Sequence, residues 1–262
     1  MRVAIALEYD GRGFCGWQSQ SAACGVQDAL EEAVAAIAGC RVAVVAAGRT
    51  DAGVHASLQV AHFDVPQARP LTAWVRGVNS RLPDGIAVFW AKEMGGGFHA
   101  RFSVVERGYR YVLFNHPVRP GLLRGRVGWH HRPLDVESMR AAARLLLGRH
   151  DFSAFRAAEC QARSPIKDLR CAELRRQGDY LVFDFRADGF LHHMVRNLVG
   201  CLVRVGAGGA PPEWLGEVLA ARDRTRAAPT FMADGLYLSR VIYPAQFGVP
   251  GEGRASGGFS PA

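Results

Sequence analysis

Gly48-Arg49-Thr50-Asp51-Ala52-Gly53-Val54-His55 follows a short apolar run, Val42–Ala47, and brings a cation and a carboxylate together. The run consists of small and β-branched residues, which is the composition of a buried strand. Asp51 and Gly53 have the chemistry of a turn. The stretch therefore predicts a loop at a strand end, a place where a rigid scaffold often holds functional side chains. Taken alone, the loop also fits a simpler role, in which Asp51 caps the turn and Arg49 neutralises it.

The residues on either side of this loop predict a β-α-β-β-α-β order. Arg2–Tyr9 alternates as a strand does, and Val26–Ala38 repeats apolar residues at helical spacing. We expect the rest of the first half to contain a strand over Leu58–Val65, a helix over Leu71–Arg81 and a strand over Ile86–Glu93. This is the order of the ferredoxin-like unit, an antiparallel sheet with helices on one face.

The second half predicts the same order once more, with the helix Pro211–Ala221 set aside as an insertion. Its expected strands are Gly108–Phe114, Lys167–Arg175, Tyr180–Arg186 and Leu236–Ile242, and its expected helices are Val136–Leu147 and Leu191–Val205. We therefore predict an α+β protein of two ferredoxin-like (RRM-like) βαββαβ units, with antiparallel sheets side by side and a basic cleft between them. The glycine-rich stretch Met94–His99 is the expected connector.

These elements predict three ranges along the chain. Residues 1–97 are the expected N-terminal ferredoxin-like domain with the polar loop, and residues 98–246 are the expected C-terminal one. Residues 247–262 are rich in Gly, Ser and Pro, so we expect a disordered tail.

Composition restricts the class of protein. With 49% hydrophobic and 10% aromatic residues the chain is globular, and its formal charge of +8 favours a polyanionic partner. No apolar run approaches the roughly 18 residues that a membrane span needs, so we expect a cytoplasmic protein. The six cysteines form no CxxC pair and no Cys/His cluster at zinc spacing, which predicts reduced thiols and no metal site.

The loop Gly48–His55 resembles the catalytic loop of the tRNA pseudouridine synthase A (TruA) family, whose hallmark is this Arg-Thr-Asp-Ala-Gly-Val-His signature. The similarity extends from residue 2 to about residue 243. One departure is Cys15, at a place where relatives often carry an aromatic residue. The other matching stretches are Glu8–Gly11, Gly16–Gln18, Phe98–Ser103, Tyr109–Tyr111, His192–Asn197 and Gly235–Leu238.

The resemblance implies that the protein isomerises uridine to pseudouridine in the anticodon stem-loop of tRNA, at positions 38, 39 and 40. It implies a homodimer and no metal or organic cofactor. Asp51 would be the nucleophile, and Arg49 would pair with it and fill the space left by the flipped nucleotide. Tyr109 would stack on the target base, and Leu236 would line the uracil pocket. Two further arginines are expected to contact the substrate: Arg163 and Arg196.

Other readings of the same residues remain open at this point. A non-catalytic RNA-binding protein of two RRM-like units would share the predicted fold, but the aromatic pattern expected on its central strand is not clear. A pseudouridine synthase acting on another RNA site is a second alternative. His192 and His193 point about 100° apart on a helix, so we expect them to pack or contact RNA and not to chelate a metal. For Trp17, a place in the core and an RNA-facing role are equally open.

Overall fold

The computed structural model of the protein describes residues 1–250. Contacts within the chain divide it into two compact units, one of residues 1–105 with the chain from Tyr237 onward and one of residues 106–236. Both units contain strands and helices, which confirms the prediction of an α+β protein. Among residues 1–250, no helix combines the length and the apolar composition needed to cross a membrane.

Residues 1–105 fold around a fully buried central strand. Their elements are β1 (Arg2–Tyr9), α1 (Val26–Ala38), β2 (Val45–Ala46), β3 (His55–Asp64) and β4 (Ile86–Met94). β1 lies between β3 and β4 and is antiparallel to both, and β2 pairs with β3. Residues 3–7 of β1 are all inaccessible to solvent, so both faces of the strand are covered. The predicted bounds of β1 and α1 are confirmed.

Two predicted elements of this unit differ in extent. The strand expected over Val42–Ala47 is reduced to β2, because only Val45 and Ala46 form strand pairs with β3. The helix expected over Leu71–Arg81 contains a π-helix at Ala73–Gly77. Its Trp74 is fully buried and packs on the Phe63 ring, with centroids 5.2 Å apart. Apolar spacing predicts such a helical segment but does not separate an α-turn from a π-turn.

The longer strands of residues 106–236 pair in antiparallel fashion. The strands of this unit are β5 (Glu106–Asn115), β6 (Gly128–His130), β7 (Gly148–Asp151), β8 (Ile166–Gln177) and β9 (Tyr180–Ala187), and its helices are α2 (Val136–Arg144), α3 (Met194–Gly206) and α4 (Glu213–Ala221). The order is β5-β9-β8-β7, and the short β6 pairs in parallel with β5. Eleven of the 13 residues of α3 are buried.

After residue 236 the chain returns to the first unit. β10 (Leu236–Ile242) pairs in parallel with β3, and Tyr237 lies opposite His55. The compact units therefore differ from the predicted ranges 1–97 and 98–246. Phe98 does not lie in a linker, because its ring is fully buried against Tyr243, with centroids 5.0 Å apart.

The predicted tail, residues 247–262, begins at an ordered aromatic residue. Phe247 ends a short 3-10 turn and packs on Phe98, with ring centroids 5.3 Å apart. Lys92 Nζ donates to the carbonyl oxygens of Phe247 and Gly248. The rest of the predicted tail, residues 251–262, lies outside the described residues.

The prediction of six reduced cysteines is wrong for two of them. Cys15 and Cys24 form a disulfide, with their Cα atoms 5.4 Å apart. The segment between β1 and α1 turns back on itself here, because the Cys15 N–H donates to the Cys24 carbonyl oxygen. The remaining four cysteines are free.

Candidate active site

The polar loop Gly48–Val54 connects β2 to β3, so the predicted position at a strand end is confirmed. Its first residue is held by a fully buried side chain of β3, Gln59. The Gln59 amide donates from Nε2 to the Gly48 carbonyl oxygen at 2.6 Å and accepts the Gly48 N–H at 3.3 Å. A buried amide that is paired on both sides fixes where the loop leaves the sheet.

The middle of the loop is anchored through Thr50, which is buried although the loop is polar. Its hydroxyl shares a buried hydrogen bond of 2.8 Å with the Tyr9 hydroxyl, and its carbonyl oxygen accepts the Trp17 N–H at 2.9 Å. Trp17 is itself buried, which favours the core over the RNA-facing role that the sequence left equally open. With Thr50 turned inward, Arg49 is exposed and Asp51 is half-buried. Arg49 and Asp51 therefore lie on either side of a residue, Thr50, whose position is fixed.

A tight turn follows the carboxylate. The Val54 N–H donates to the Asp51 carbonyl oxygen, and Gly53 has a φ of +77°, a left-handed conformation that glycine adopts without steric cost. The predicted turn chemistry of Asp51 and Gly53 is therefore confirmed. Because the Asp51 main chain closes this turn, its carboxylate projects from a defined backbone.

The end of the loop is held by the segment that follows β1. His55 Nδ1 accepts the Gly11 N–H at 3.1 Å, and the His55 ring stacks on Tyr237 with centroids 4.6 Å apart. Asp10 Oδ1 lies 3.3 Å from the same His55 nitrogen. Hydrogen bonds from the Arg12 guanidinium lower the pKa of Asp10 to about 2, although burial opposes the shift. This segment thus presents a carboxylate that is ionised at neutral pH.

Tyr109 lies in the second unit, near the start of β5. It is 9% exposed and meets the Phe190 ring edge to face, with centroids 5.0 Å apart. Its neighbour across the strand pair is Phe185 of β9. The ring therefore lies among aromatic neighbours.

Arg196 and Leu236 are associated with one segment, residues 227–236. Arg196 stands in the first turn of α3, and its Nε donates to the Phe231 carbonyl oxygen at 2.9 Å. Leu236 ends the segment and is 4% exposed. From the other side, the Val112 N–H of β5 donates to the Gly235 carbonyl oxygen at 2.8 Å. Within this unit, α3 and β5 therefore hold the same segment.

Asn197, next to Arg196, is a fully buried polar residue of α3. Its amide donates to the Phe155 carbonyl oxygen at 2.8 Å, and its Oδ1 accepts from Thr230 and Arg224 at 2.7 Å and 3.1 Å. Satisfied buried networks of this kind specify one arrangement of the elements that they join. Asn197 therefore fixes the 227–236 segment against α3.

Arg163 is exposed in the irregular chain before β8. His192 and His193 precede α3 and do not belong to its first turn, because His193 has a left-handed φ of +62° and caps the helix. The helix expected over Leu191–Val205 therefore begins three residues later. The loop of the first unit contains Arg49 and Asp51, whereas the other four predicted site residues belong to the second unit.

Sequence reasoning assigned no role to the residues that hold these groups: Tyr9, Thr50, Gln59 and Asn197. Three of them lie within stretches that carry the family resemblance, which was the available signal. Their function as anchors depends on partners between 11 and 42 residues away along the chain. No local pattern shows such partners.

Comparisons with known proteins agree with the motifs. The sequence profile of a family described as tRNA pseudouridine synthase matches residues 5–103 and 142–244. The chain is 72% identical over 250 residues to tRNA pseudouridine synthase A of Thiobacillus denitrificans, covering 95% of this chain and 96% of that protein. It is 59% identical to the proteins of the same name from Dechloromonas aromatica and Chromobacterium violaceum, over 95% of this chain and 95% and 96% of theirs.

Proposed function

Because the chain belongs to the tRNA pseudouridine synthase family, it isomerises uridine in tRNA to pseudouridine, and we propose that the target is the anticodon stem-loop, at positions 38, 39 and 40. The resemblance stated for the loop and its companion stretches is thereby confirmed at the level of the family. A purely RNA-binding role does not agree with relatives that are named as synthases. What we propose beyond the family's activity is the identity of the uridines that are modified.

The reaction is an isomerisation. The C1′–N1 glycosidic bond breaks, the uracil ring turns, and a C1′–C5 bond forms, while C5 loses a proton and N1 gains one. Nothing is oxidised or hydrolysed overall, so the reaction needs no redox partner, and the proposal includes no metal and no organic cofactor. The chain needs to supply a carboxylate, a way to hold the extruded base and a site for the phosphates.

Asp51 is the proposed nucleophile. Its support is the loop geometry: Thr50 is held inward by Tyr9 and Trp17, so that Asp51 stays half-buried on a backbone that Gly53 closes into a turn. A pre-positioned carboxylate can form a covalent intermediate. Attack on the base, attack on the sugar and a glycal route all begin with this group.

The other proposed roles concern the substrate. Arg49, exposed beside Asp51, pairs with it and fills the space left by the flipped nucleotide. Tyr109 stacks on the target base, and the ring support from Phe190 favours that role. Leu236 lines the uracil pocket. The two remaining arginines contact the substrate: Arg163 and Arg196.

The finer architecture is also part of the proposal. In the first unit the strand order β4-β1-β3-β2, with antiparallel neighbours, supports a ferredoxin-like unit. In the second, the antiparallel order β5-β9-β8 with α2 and α3 supports a second one. The proposal also includes the basic cleft, the homodimer and the cytoplasmic location that the sequence predicts.

Cytoplasmic proteins rarely keep disulfides, so the Cys15–Cys24 bond is the observation that argues against a cytoplasmic location.

The observation that best supports the proposal is the anchored loop with Asp51 at its centre. Asp51→Asn should fold and bind tRNA, but release tritium from 5-labelled uridine at least about a thousandfold more slowly. Asp84→Asn, a change at an exposed turn aspartate, serves as the matched control and should retain the wild-type rate. Wild-type tritium release by Asp51→Asn would overturn the assignment.

A second experiment addresses the target site. Mass mapping should place the pseudouridine that the protein adds to tRNA at positions 38 to 40. When whole-cell RNA is incubated with the protein, the added pseudouridine should lie at no other site. Pseudouridine only at other sites would leave the activity in place and contradict the anticodon proposal. Light scattering should give twice the chain mass of 28.5 kDa, and a monomer mass would contradict the homodimer.

A further inference from the structure

Tyr9 is the last residue of β1, and its hydroxyl reaches the loop that carries Asp51. The Tyr9 hydroxyl and Thr50 Oγ1 lie 2.8 Å apart, and both residues are buried. Thr50 directly precedes Asp51 in the chain. A change in the position of the Thr50 side chain therefore moves the backbone from which the carboxylate projects.

The strand that carries Tyr9 is rigid. Its backbone pairs with Ala56 of β3 on one edge and with Ile86 of β4 on the other. The register with β3 shifts between Leu7 and Tyr9, so that an extra residue of β3 lies opposite this end of β1. Such bulges re-aim side chains and recur beside active sites. Here the bulge lies next to Tyr9, whose side chain points toward the loop.

Two further contacts hold Thr50 beside its hydrogen bond with the Tyr9 hydroxyl. The Thr50 carbonyl oxygen is already bound by the Trp17 N–H. Gly16 has a φ of +97°, and a Cβ there would lie 2.7 Å from the same Thr50 oxygen. Thr50 is thus held through its carbonyl oxygen by the Gly16–Trp17 backbone and through its side chain by Tyr9.

We propose that Tyr9 is a positioning residue for pseudouridine formation: through its hydrogen bond to Thr50 it sets the orientation of the Asp51 carboxylate. Tyr9 acts on the reaction through Thr50, and the proposal gives it no contact with the substrate. The inference rests on the proposed role of Asp51. Small displacements of a catalytic group reduce turnover more than they reduce binding.

The test compares Tyr9→Phe, Thr50→Val, their combination and Thr50→Ser. Tyr9→Phe should lower kcat about tenfold with KM within about twofold of wild type, and Thr50→Ser, which keeps a hydroxyl, should retain most of kcat. Each single change to Phe or Val leaves one buried hydroxyl without this partner and should lower the urea midpoint. The double variant removes both partners and should recover the midpoint but not kcat.

Tyr243→Phe is the matched control, because the Tyr243 hydroxyl is also buried and donates to the Ala100 carbonyl oxygen at 2.7 Å. It should lower the urea midpoint and leave kcat unchanged. The proposal is overturned if Tyr9→Phe keeps the wild-type kcat, or if the double variant recovers kcat together with stability. If Tyr9→Phe does not fold, the comparison of Thr50→Val with Thr50→Ser decides the question in the same way. An active Asp51→Asn would overturn the proposed function itself, whatever Tyr9→Phe does.

Discussion

Gly11 and Val54 lie so close together that a Cβ on Gly11 would be 2.1 Å from the Val54 carbonyl oxygen. Backbone therefore packs directly on backbone where the segment after β1 meets the end of the Gly48–Val54 loop. The Gly11 N–H also donates to His55, the next residue after Val54. A side chain at position 11 would have to push the loop away.

Gly11→Ala should therefore destabilise the protein by about 1–3 kcal/mol, the usual cost of overpacking, and should lower the rate of tritium release. Gly13→Ala is the control, because a Cβ at Gly13 meets nothing within 4 Å. Urea unfolding and the tritium assay measure both effects. Equal behaviour of the two alanine variants would contradict the close contact.

Stability should fall in mild acid because of His62. This residue of β3 is buried and accepts the Ala100 N–H on Nδ1. Burial, followed by the charge of Arg2, lowers its pKa from the ordinary 6.5 to about 4. Between these values the unfolded chain binds a proton that the folded protein does not, so stability is complete above pH 6.5 and decreases as the pH falls toward 4.

The expected loss from His62 is about 2 kcal/mol between pH 6.5 and 5. Urea unfolding at both pH values measures it. His62→Gln has no proton to gain at this position, so its stability should change less over the same interval. The same pH dependence in the variant and the wild type would show that other groups are responsible.

The Cys15–Cys24 disulfide should stabilise the protein under oxidising conditions. It closes a loop with a sequence separation of 9 residues, for which loop-closure entropy predicts about 3 kcal/mol. Dithiothreitol should lower the urea midpoint of the wild type, and the variant with both cysteines changed to serine should not respond. In native, unreduced protein, alkylation should modify the exposed Cys40 and leave Cys15 and Cys24 intact. Alkylation of those two by mass spectrometry would contradict the bond.

Binding of tRNA should weaken steeply with salt, since the chain carries a net charge of +8 and phosphate contacts release counterions. Arg163→Ala should reduce the slope of log affinity against log salt by about 1. Arg140→Ala is the control, because the Arg140 guanidinium pairs with Glu137 and the Leu174 carbonyl oxygen. A flat salt dependence, or equal slopes for both variants, would contradict the proposed phosphate contact of Arg163.

The sequence predicted the elements whose pattern is local. β1, α1 and β10 have the expected bounds because a strand or helix period is repeated within a few residues. The short β6 and β7 were not predicted, since three or four residues carry no readable period. The positions of Asp51 and Gly53 in a turn were predicted because their turn chemistry is intrinsic.

By itself, then, the sequence determined the α+β class, the family and the loop that carries Arg49 and Asp51. The tertiary structure alone decided what holds that loop, because Tyr9 and Thr50 are 41 residues apart in the chain and meet only when β1 and β3 pair. It also decided that Cys15 and Cys24 are joined. A pattern along the chain records periodicity and residue type, whereas contacts between distant residues exist only after the backbone has folded.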